Sequence, residues 1–258
     1  MRHNDFMGRV VAIANQKGGV GKTTTAVNLS ACMAAAGRRV LLIDIDPQGN
    51  ATSGLGLDKN SQSATIYDVL LGSASLKDAR ITTSVERLDL VPANKDLVGA
   101  LIELVTADRR EYRLSDALQE LRDEYDCIYV DCPPALNLLT VNALGAADGV
   151  LVTLQCEYYA LEGLSELLNT IDLVRDNLNP RLELTGIVFT MYQHTNLANQ
   201  IVEDVRAHLG EKVYDTVIPR NVTLAEAPSY GQPVIFYDLK SAGAKAYLAL
   251  TREVFARG

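Results

Sequence analysis

Three apolar runs in this 258-residue chain each end in side chains suited to phosphate or to a divalent cation. Val10–Ala14 leads into Asn15-Gln-Lys-Gly-Gly-Val-Gly-Lys-Thr-Thr24. Gly18, Gly19 and Gly21 allow tight turns and close backbone approach. Their N–H groups, with those of a following helix N-terminus, can cradle phosphate oxygens. Lys22 is spaced to reach β- and γ-phosphates, and the Thr23 hydroxyl to ligate Mg²⁺. Gln16 stands where the strict Gly-x4-Gly-Lys-Ser/Thr pattern has glycine, so the loop is a variant of it. Val40–Ile43 runs into Asp44-Ile-Asp46, two carboxylates two residues apart that can point from a strand end into one cleft. Cys127–Val130 closes on Asp131 and then Cys132-Pro-Pro134. An apolar strand ending in one Asp suits a Mg²⁺ held through water, and the Pro-Pro turn stiffens the entry to the next loop.

Such groups need a rigid frame. Strands are expected at Val10–Ala14, Val40–Ile43, Leu88–Val91, Cys127–Val130, Val150–Leu154 and Leu184–Phe189. Most are continuous apolar runs, which is how strands buried on both faces of a parallel sheet read. Helices are expected at Thr23–Ala36, Thr65–Leu71, Lys95–Val105, Glu111–Glu124, Leu138–Ala146, Leu161–Leu178, Leu197–Leu209 and Ala242–Ala256. Gly37 is a natural stop for the first, and Thr65-x-x-Asp68 opens the second as a capping-box variant. Alternating strand and helix predicts an α/β fold, a doubly wound, mostly parallel sheet with helices on both faces. Ligands bind such sheets at the carboxyl ends of the strands, where all three loaded loops fall. No linker-like stretch divides the chain. The expectation is a single domain over residues 9–257 behind a short N-terminal extension, 1–8.

The net charge of −8 argues against a generally basic nucleic-acid coat protein. The acid excess lies in the first 185 residues, so a neutral or locally basic face remains open in the last third. Cys32, Cys127, Cys132 and Cys156 lack metal-ligand spacing and read as reduced thiols. No apolar run approaches the ~20 residues of a membrane span, and no signal peptide is evident, so a cytoplasmic protein is expected.

Lys17-Gly-Gly-Val-Gly-Lys-Thr-Thr24 resembles the deviant Walker A motif of the ParA/MinD ATPases. The likeness runs over about residues 8–257. Asp44-Ile-Asp-Pro-Gln-Gly-Asn-Ala-Thr-Ser-Gly-Leu-Gly56, Asp131-Cys-Pro-Pro-Ala135, Ile218-Pro-Arg-Asn221 and Glu226-Ala-Pro-Ser229 look specifically like its chromosomal ParA (Soj) branch. The resemblance implies a P-loop ATPase using ATP and Mg²⁺, with a slow basal rate. Lys17, Gly18, Gly19, Val20, Gly21, Lys22, Thr23 and Thr24 would hold the phosphates, and Pro219, Arg220 and Asn221 the adenine. Lys17 would cross to the partner's ATP in an ATP-dependent homodimer, neutralising phosphate charge as two subunits meet. Lys17, Lys22 and Asp46 would be catalytic, Asp46 by activating the attacking water; Thr23, Asp44 and Asp131 would hold Mg²⁺, partly through water.

The family further implies sequence-independent binding of duplex DNA by the dimer, and hydrolysis stimulated by a ParB-like activator protein, in chromosome or plasmid partitioning. The chain departs from that pattern in its last third. His194, Thr223, Phe236 and Ala242 occupy positions where cations are expected, and each lost cation should weaken phosphate-driven binding. The remaining DNA candidates are Arg206, Lys212, Arg220, Lys240, Lys245 and Arg252. This departure keeps open a related positioner of a protein cargo with weak or no DNA binding. A MinD-like membrane ATPase fits less well, because the C-terminal segment lacks a basic amphipathic face.

Overall fold

The computed structural model describes residues 8–157 and 160–257. The expected N-terminal extension therefore lies, but for Gly8, outside the described residues. Among them are eight strands in one sheet: β1 (Arg9–Ala14), β2 (Val40–Asp44), β3 (Ile81–Thr82), β4 (Leu88–Val91), β5 (Cys127–Asp131), β6 (Gly149–Gln155), β7 (Glu183–Tyr192) and β8 (Val213–Pro219). Their order is β3-β4-β2-β5-β1-β6-β7-β8, and every pairing is parallel except β3 with β4. The helices are α1 (Lys22–Ala35), α2 (Asn50–Gly54), α3 (Ile66–Leu71), α4 (Leu76–Ala79), α5 (Leu97–Glu103), α6 (Arg113–Leu118), α7 (Leu138–Ala146), α8 (Ala160–Asn177), α9 (Asn196–Leu209), α10 (Val222–Glu226), α11 (Val234–Tyr237) and α12 (Ala242–Arg257).

Alternation along each strand divides the core in two. Val10, Ala12 and Ala14 of β1 point into a layer covered by α3–α9. Val11 and Ile13 point into the other, covered by α1, α2, α10, α11 and α12. Buried apolar residues on both faces explain why the central strands read as unbroken hydrophobic runs. The doubly wound expectation holds, and all six expected strands occur, Leu88–Val91 as expected and the other five with adjusted ends.

Two strands escaped the pattern. β8 mixes buried Val213, Tyr214 and Ile218 with exposed Asp215 and ends at Pro219, as an edge strand can because one side needs no ladder. β3 is two residues long. The helix expected over Glu111–Glu124 keeps its apolar spacing, with Leu114, Leu118 and Leu121 all buried. Its backbone, however, tightens into 3₁₀ turns at Arg110–Tyr112 and Arg122–Glu124. The Thr65 cap forms as expected: the Asp68 carboxylate accepts the Thr65 N–H at 2.8 Å.

One close approach joins distant parts of the chain. A Cβ built on Gly231, after the 3₁₀ turn Ala227–Tyr230, would lie 2.5 Å from Gly56 Cα, just beyond α2. Both residues have positive φ, so glycine is required on both counts.

Candidate functional site

The site lies at the carboxyl ends of β1, β2 and β5. Gly21 precedes α1 in the left-handed conformation, φ 79°, and no side chain caps the helix. The N–H groups of the first turn are thus left for a ligand in the loop. Two threonines and an asparagine brace that loop. Thr190 of β7 donates its hydroxyl to the Val20 carbonyl at 2.8 Å. Asn15 donates through Nδ2 to the Thr153 carbonyl at 2.6 Å, and its Oδ1 accepts the Lys17 N–H at 2.9 Å. The spacing gave no sign of Thr153 or Thr190, which arrive from β6 and β7.

The two lysines of the loop part company. Lys22 is 6 % exposed, and its Nζ donates to the Lys17 carbonyl at 2.9 Å, tucking the ammonium beneath the loop. Burial lowers its pKa, opposed by the neighbouring Asp131, Cys132 and Asp46. The Lys17 side chain is 53 % exposed and pairs with Glu157, beyond the end of β6.

Asp44 and Asp131 sit side by side, in register on neighbouring parallel strands. Both are fully buried. Their parity along β2 and β5 aims both at the α1 side. Asp44 Oδ2 accepts the Thr52 N–H at 2.9 Å and the Thr52 hydroxyl at 2.8 Å; its Oδ1 accepts the Asp46 N–H at 3.2 Å. Burial raises its pKa to about 6, with those hydrogen bonds opposing the rise. Neither Asp131 oxygen has a partner in hydrogen-bond geometry. Burial, then the Asp44 charge, raises its pKa well above the carboxylate range, although the Thr23 hydroxyl is near enough to lower it somewhat. Leaving such a carboxylate ionised without a cation costs several kcal/mol. Asp46 is buried at the rim, its Oδ1 accepting the Gln48 N–H at 2.9 Å.

This donor set fits a hard divalent cation. Two carboxylates and a hydroxyl converge, and one carboxylate is bare. Among the described residues no three His, Cys, Asp or Glu form a metal cage. Two carboxylates and a hydroxyl suit Mg²⁺, which takes one or two protein oxygens and completes its shell with phosphate and water.

A cavity of about 380 Å³ opens beside Gly21 and Thr24, walled by Met191, Ile218, Leu224 and Tyr247 and closed by Pro219, Arg220 and Asn221. Asn221 Oδ1 is buried there without a partner. A flat heterocycle bearing an exocyclic amine would fill the walls and supply the missing donor. A larger cavity, about 790 Å³, lies at the opposite end of the sheet among Arg9, Thr185, Lys212 and Tyr214. It is remote from every phosphate-binding feature. Arg257, on its wall, is consumed by the carbonyls of Glu211 and Val213 and by Glu253.

The six cations named as DNA candidates are not brought into one patch. Lys212 and Arg220 flank the two ends of β8, roughly 25 Å apart at ~3.3 Å per residue. Arg220 borders the 380 Å³ cavity. Arg206, on α9, donates to the Asp215 carbonyl at 3.2 Å. Lys240 precedes α12, while Lys245 and Arg252 lie exposed along it, on the other face of the sheet from α9. Of the four positions without the expected cation, Phe236 is 54 % exposed, and His194 and Ala242 also face outward.

Residues 8–184 match the family model described as an AAA domain. The chain is 58 % identical over 252 residues to the chromosome partitioning protein ParA of Caulobacter vibrioides (strain NA1000 / CB15N), covering 96 % of this chain and 94 % of that protein. It is 56 % identical over 253 residues to the sporulation initiation inhibitor protein Soj of Bacillus subtilis (strain 168), covering 98 % and 100 %. Among solved structures it is similar to cobyrinic acid a,c-diamide synthase from Mycobacterium smegmatis with bound ADP and magnesium: TM-score 0.84, 39 % identity, 96 % and 94 % covered. With the variant phosphate loop, the paired strand-end carboxylates and near-complete coverage at these identities, the chain belongs to the family of the ParA and Soj chromosome-partitioning proteins.

Proposed function

We propose that the chain is a partitioning ATPase that works as an ATP-dependent dimeric switch. It binds Mg·ATP and hydrolyses it, as the family membership and the bound nucleotides of its structural relative support. The finer reading is that ATP closes a homodimer, that the dimer binds duplex DNA without sequence preference, and that a ParB-like activator triggers hydrolysis and release. A slow basal rate in the cytoplasm belongs to the same reading, as does one ATPase domain over residues 9–257.

The observation that carries it is the division of labour between Lys22 and Lys17. Lys22 already neutralises the cradle from within, and Lys17 holds a second ammonium at the surface beside it. A surface cation next to a phosphate site gains most when a facing subunit brings a second nucleotide against it. Within one protomer, Lys22 and the first-turn N–H groups hold phosphate, Thr23, Asp44 and Asp131 would hold Mg²⁺, and Asn221 would select the base. Mg²⁺, when bound, would supply neutralisation of phosphate charge. Asp46 would orient water and take its proton. Catalysis of this kind is mostly positioning and charge stabilisation.

Gly18 separates dimerisation from folding. It is exposed, and a Cβ there would touch only Pro134 Cβ, at an ordinary 3.9 Å. Gly18→Val should therefore fold and keep ATP affinity within about threefold (under ~1 kcal/mol), yet remain monomeric with Mg·ATP in analytical ultracentrifugation, because on this reading Gly18 lies on the face that closes tightly on the partner and a side chain there would clash. A wild-type dimer from this variant would remove Gly18 from the interface.

The scattered cations bear on the track. With Asp46→Ala and Mg·ATP, duplex affinity should exceed that with ADP and fall with salt. The log–log slope should be shallow, about −0.9 for each phosphate neutralised. Filter binding across a salt series checks this. If a demonstrated dimer shows no binding at low salt, DNA is not the track. The exposed Phe236 and Ala242 would then favour the second reading, a positioner that tracks a protein surface.

A further inference from the structure

Thr52 lies in α2, eight residues beyond Asp44, and is fully buried. Its hydroxyl is part of a chain of hydrogen bonds with a fixed direction. The Ala93 N–H, just past β4, donates to Thr52 Oγ1 at 3.0 Å. That leaves the hydroxyl proton for Asp44 Oδ2, at 2.8 Å, on the same oxygen that accepts the Thr52 N–H. The other Asp44 oxygen accepts the Asp46 N–H. All three donors to Asp44 thus come from the segment immediately C-terminal to it, and Thr52 supplies two of them.

The arrangement contrasts with Asp131, in register beside Asp44 and with no donor in hydrogen-bond geometry. One carboxylate is held and the other is bare. A fixed carboxylate can act as a template for the peptide that carries Asp46, because the Asp46 N–H is anchored on it. The Ala93 link ties the template to the segment just past β4. A Cβ on Gly49 would come within 2.6 Å of the Ala93 carbonyl, so this loop already packs backbone to backbone at that point.

We infer that Thr52 is a positioning residue for hydrolysis: its hydroxyl orients Asp44, and through Asp44 the segment bearing Asp46. The inference rests on the Mg·ATP reading of the site. It assigns Thr52 no contact with nucleotide, so its loss should spare metal-free binding and impair what depends on the metal and the water.

Thr52→Val keeps the volume and the backbone N–H bond to Asp44 but removes the hydroxyl. Thr52→Ser restores the hydroxyl without the methyl group. Thr52→Cys, similar in size with a weak donor, serves as the deletion should the valine variant fail to fold. The measurements are ADP affinity with a fluorescent analogue in EDTA and in Mg²⁺, then steady-state ATPase. For Thr52→Val, affinity in EDTA should stay within twofold of wild type. The gain in affinity on adding Mg²⁺ should shrink at least threefold, and kcat should fall at least tenfold with KM little changed. Thr52→Ser should recover both to within about threefold. An unaltered Mg²⁺ gain in Thr52→Val overturns the inference. So does a serine variant as impaired as the valine, which would mean that the methyl packing matters and the hydroxyl does not. If wild type hydrolyses no ATP, the ATPase reading fails, while the affinity comparison still decides the role of Thr52.

Discussion

Lys22→Met should weaken ATP binding about a hundredfold while leaving the fold intact. Methionine keeps the unbranched stem in its buried channel and removes only the ammonium. Hydrogen bonds to charged groups contribute about 1.5–3 kcal/mol, and each 1.4 kcal/mol is tenfold in affinity. Lys22 is buried and would meet phosphate largely away from water, so the upper part of that range applies. Its loss also leaves Asp131 and Asp46, which now offset its desolvation, without a neighbouring cation. Isothermal titration with ATP and Mg²⁺ checks the prediction. Wild-type affinity would show that the backbone cradle alone holds the nucleotide, and that Lys22 is a structural lysine.

Asp46→Ala should have the opposite profile: normal ATP binding, and a kcat lowered by about 10²–10⁴, the usual reach of a positioned base. One Asp46 oxygen is engaged by the Gln48 N–H, and no protein donor reaches the other among the described residues. It is free to take a water. Because ATP would bind and persist, the variant should accumulate as an ATP-loaded dimer, visible in ultracentrifugation beside the ADP form. A variant turning over at the wild-type rate would move water activation elsewhere, Asp44 being the next carboxylate. Asp44, however, already accepts three hydrogen bonds, which favour its ionised form over one that has taken a proton.

The parts of this protein that read directly from sequence are those governed by short-range rules. The glycine loop, Lys22 and the strand-end aspartates are each fixed by a strand, a turn and a helix in immediate succession. The structure puts Lys22, Asp44, Asp46 and Asp131 around one point. The central strands were legible because burial on both faces leaves no polar alternation. β8 was not, since as an edge strand it tolerates Asp215 and ends on Pro219. The braces Thr153 and Thr190 were invisible because they approach the loop across the sheet. The hydroxyl of Thr52 was invisible because its partner Ala93 offers only a backbone N–H, which no side-chain pattern encodes. The cations in the last third could be counted from sequence, but their scatter over both faces and both ends of the sheet comes from connectivity. Arg220 was named for both DNA and adenine, and its place on the cavity wall favours the nucleotide.

The contact between Gly56 and Gly231 bears on how this protein can be rebuilt. Segments about 175 residues apart in sequence meet there backbone to backbone, with no side chain to absorb a change in either. The loop after Asp46 and the turn before α11 therefore behave as one interchangeable part. A chimera that imports the first loop from a relative should misassemble unless the second comes with it. A library randomising residues 47–57 alone should return glycine at position 56 almost without exception, and one randomising both loops should return the pair together.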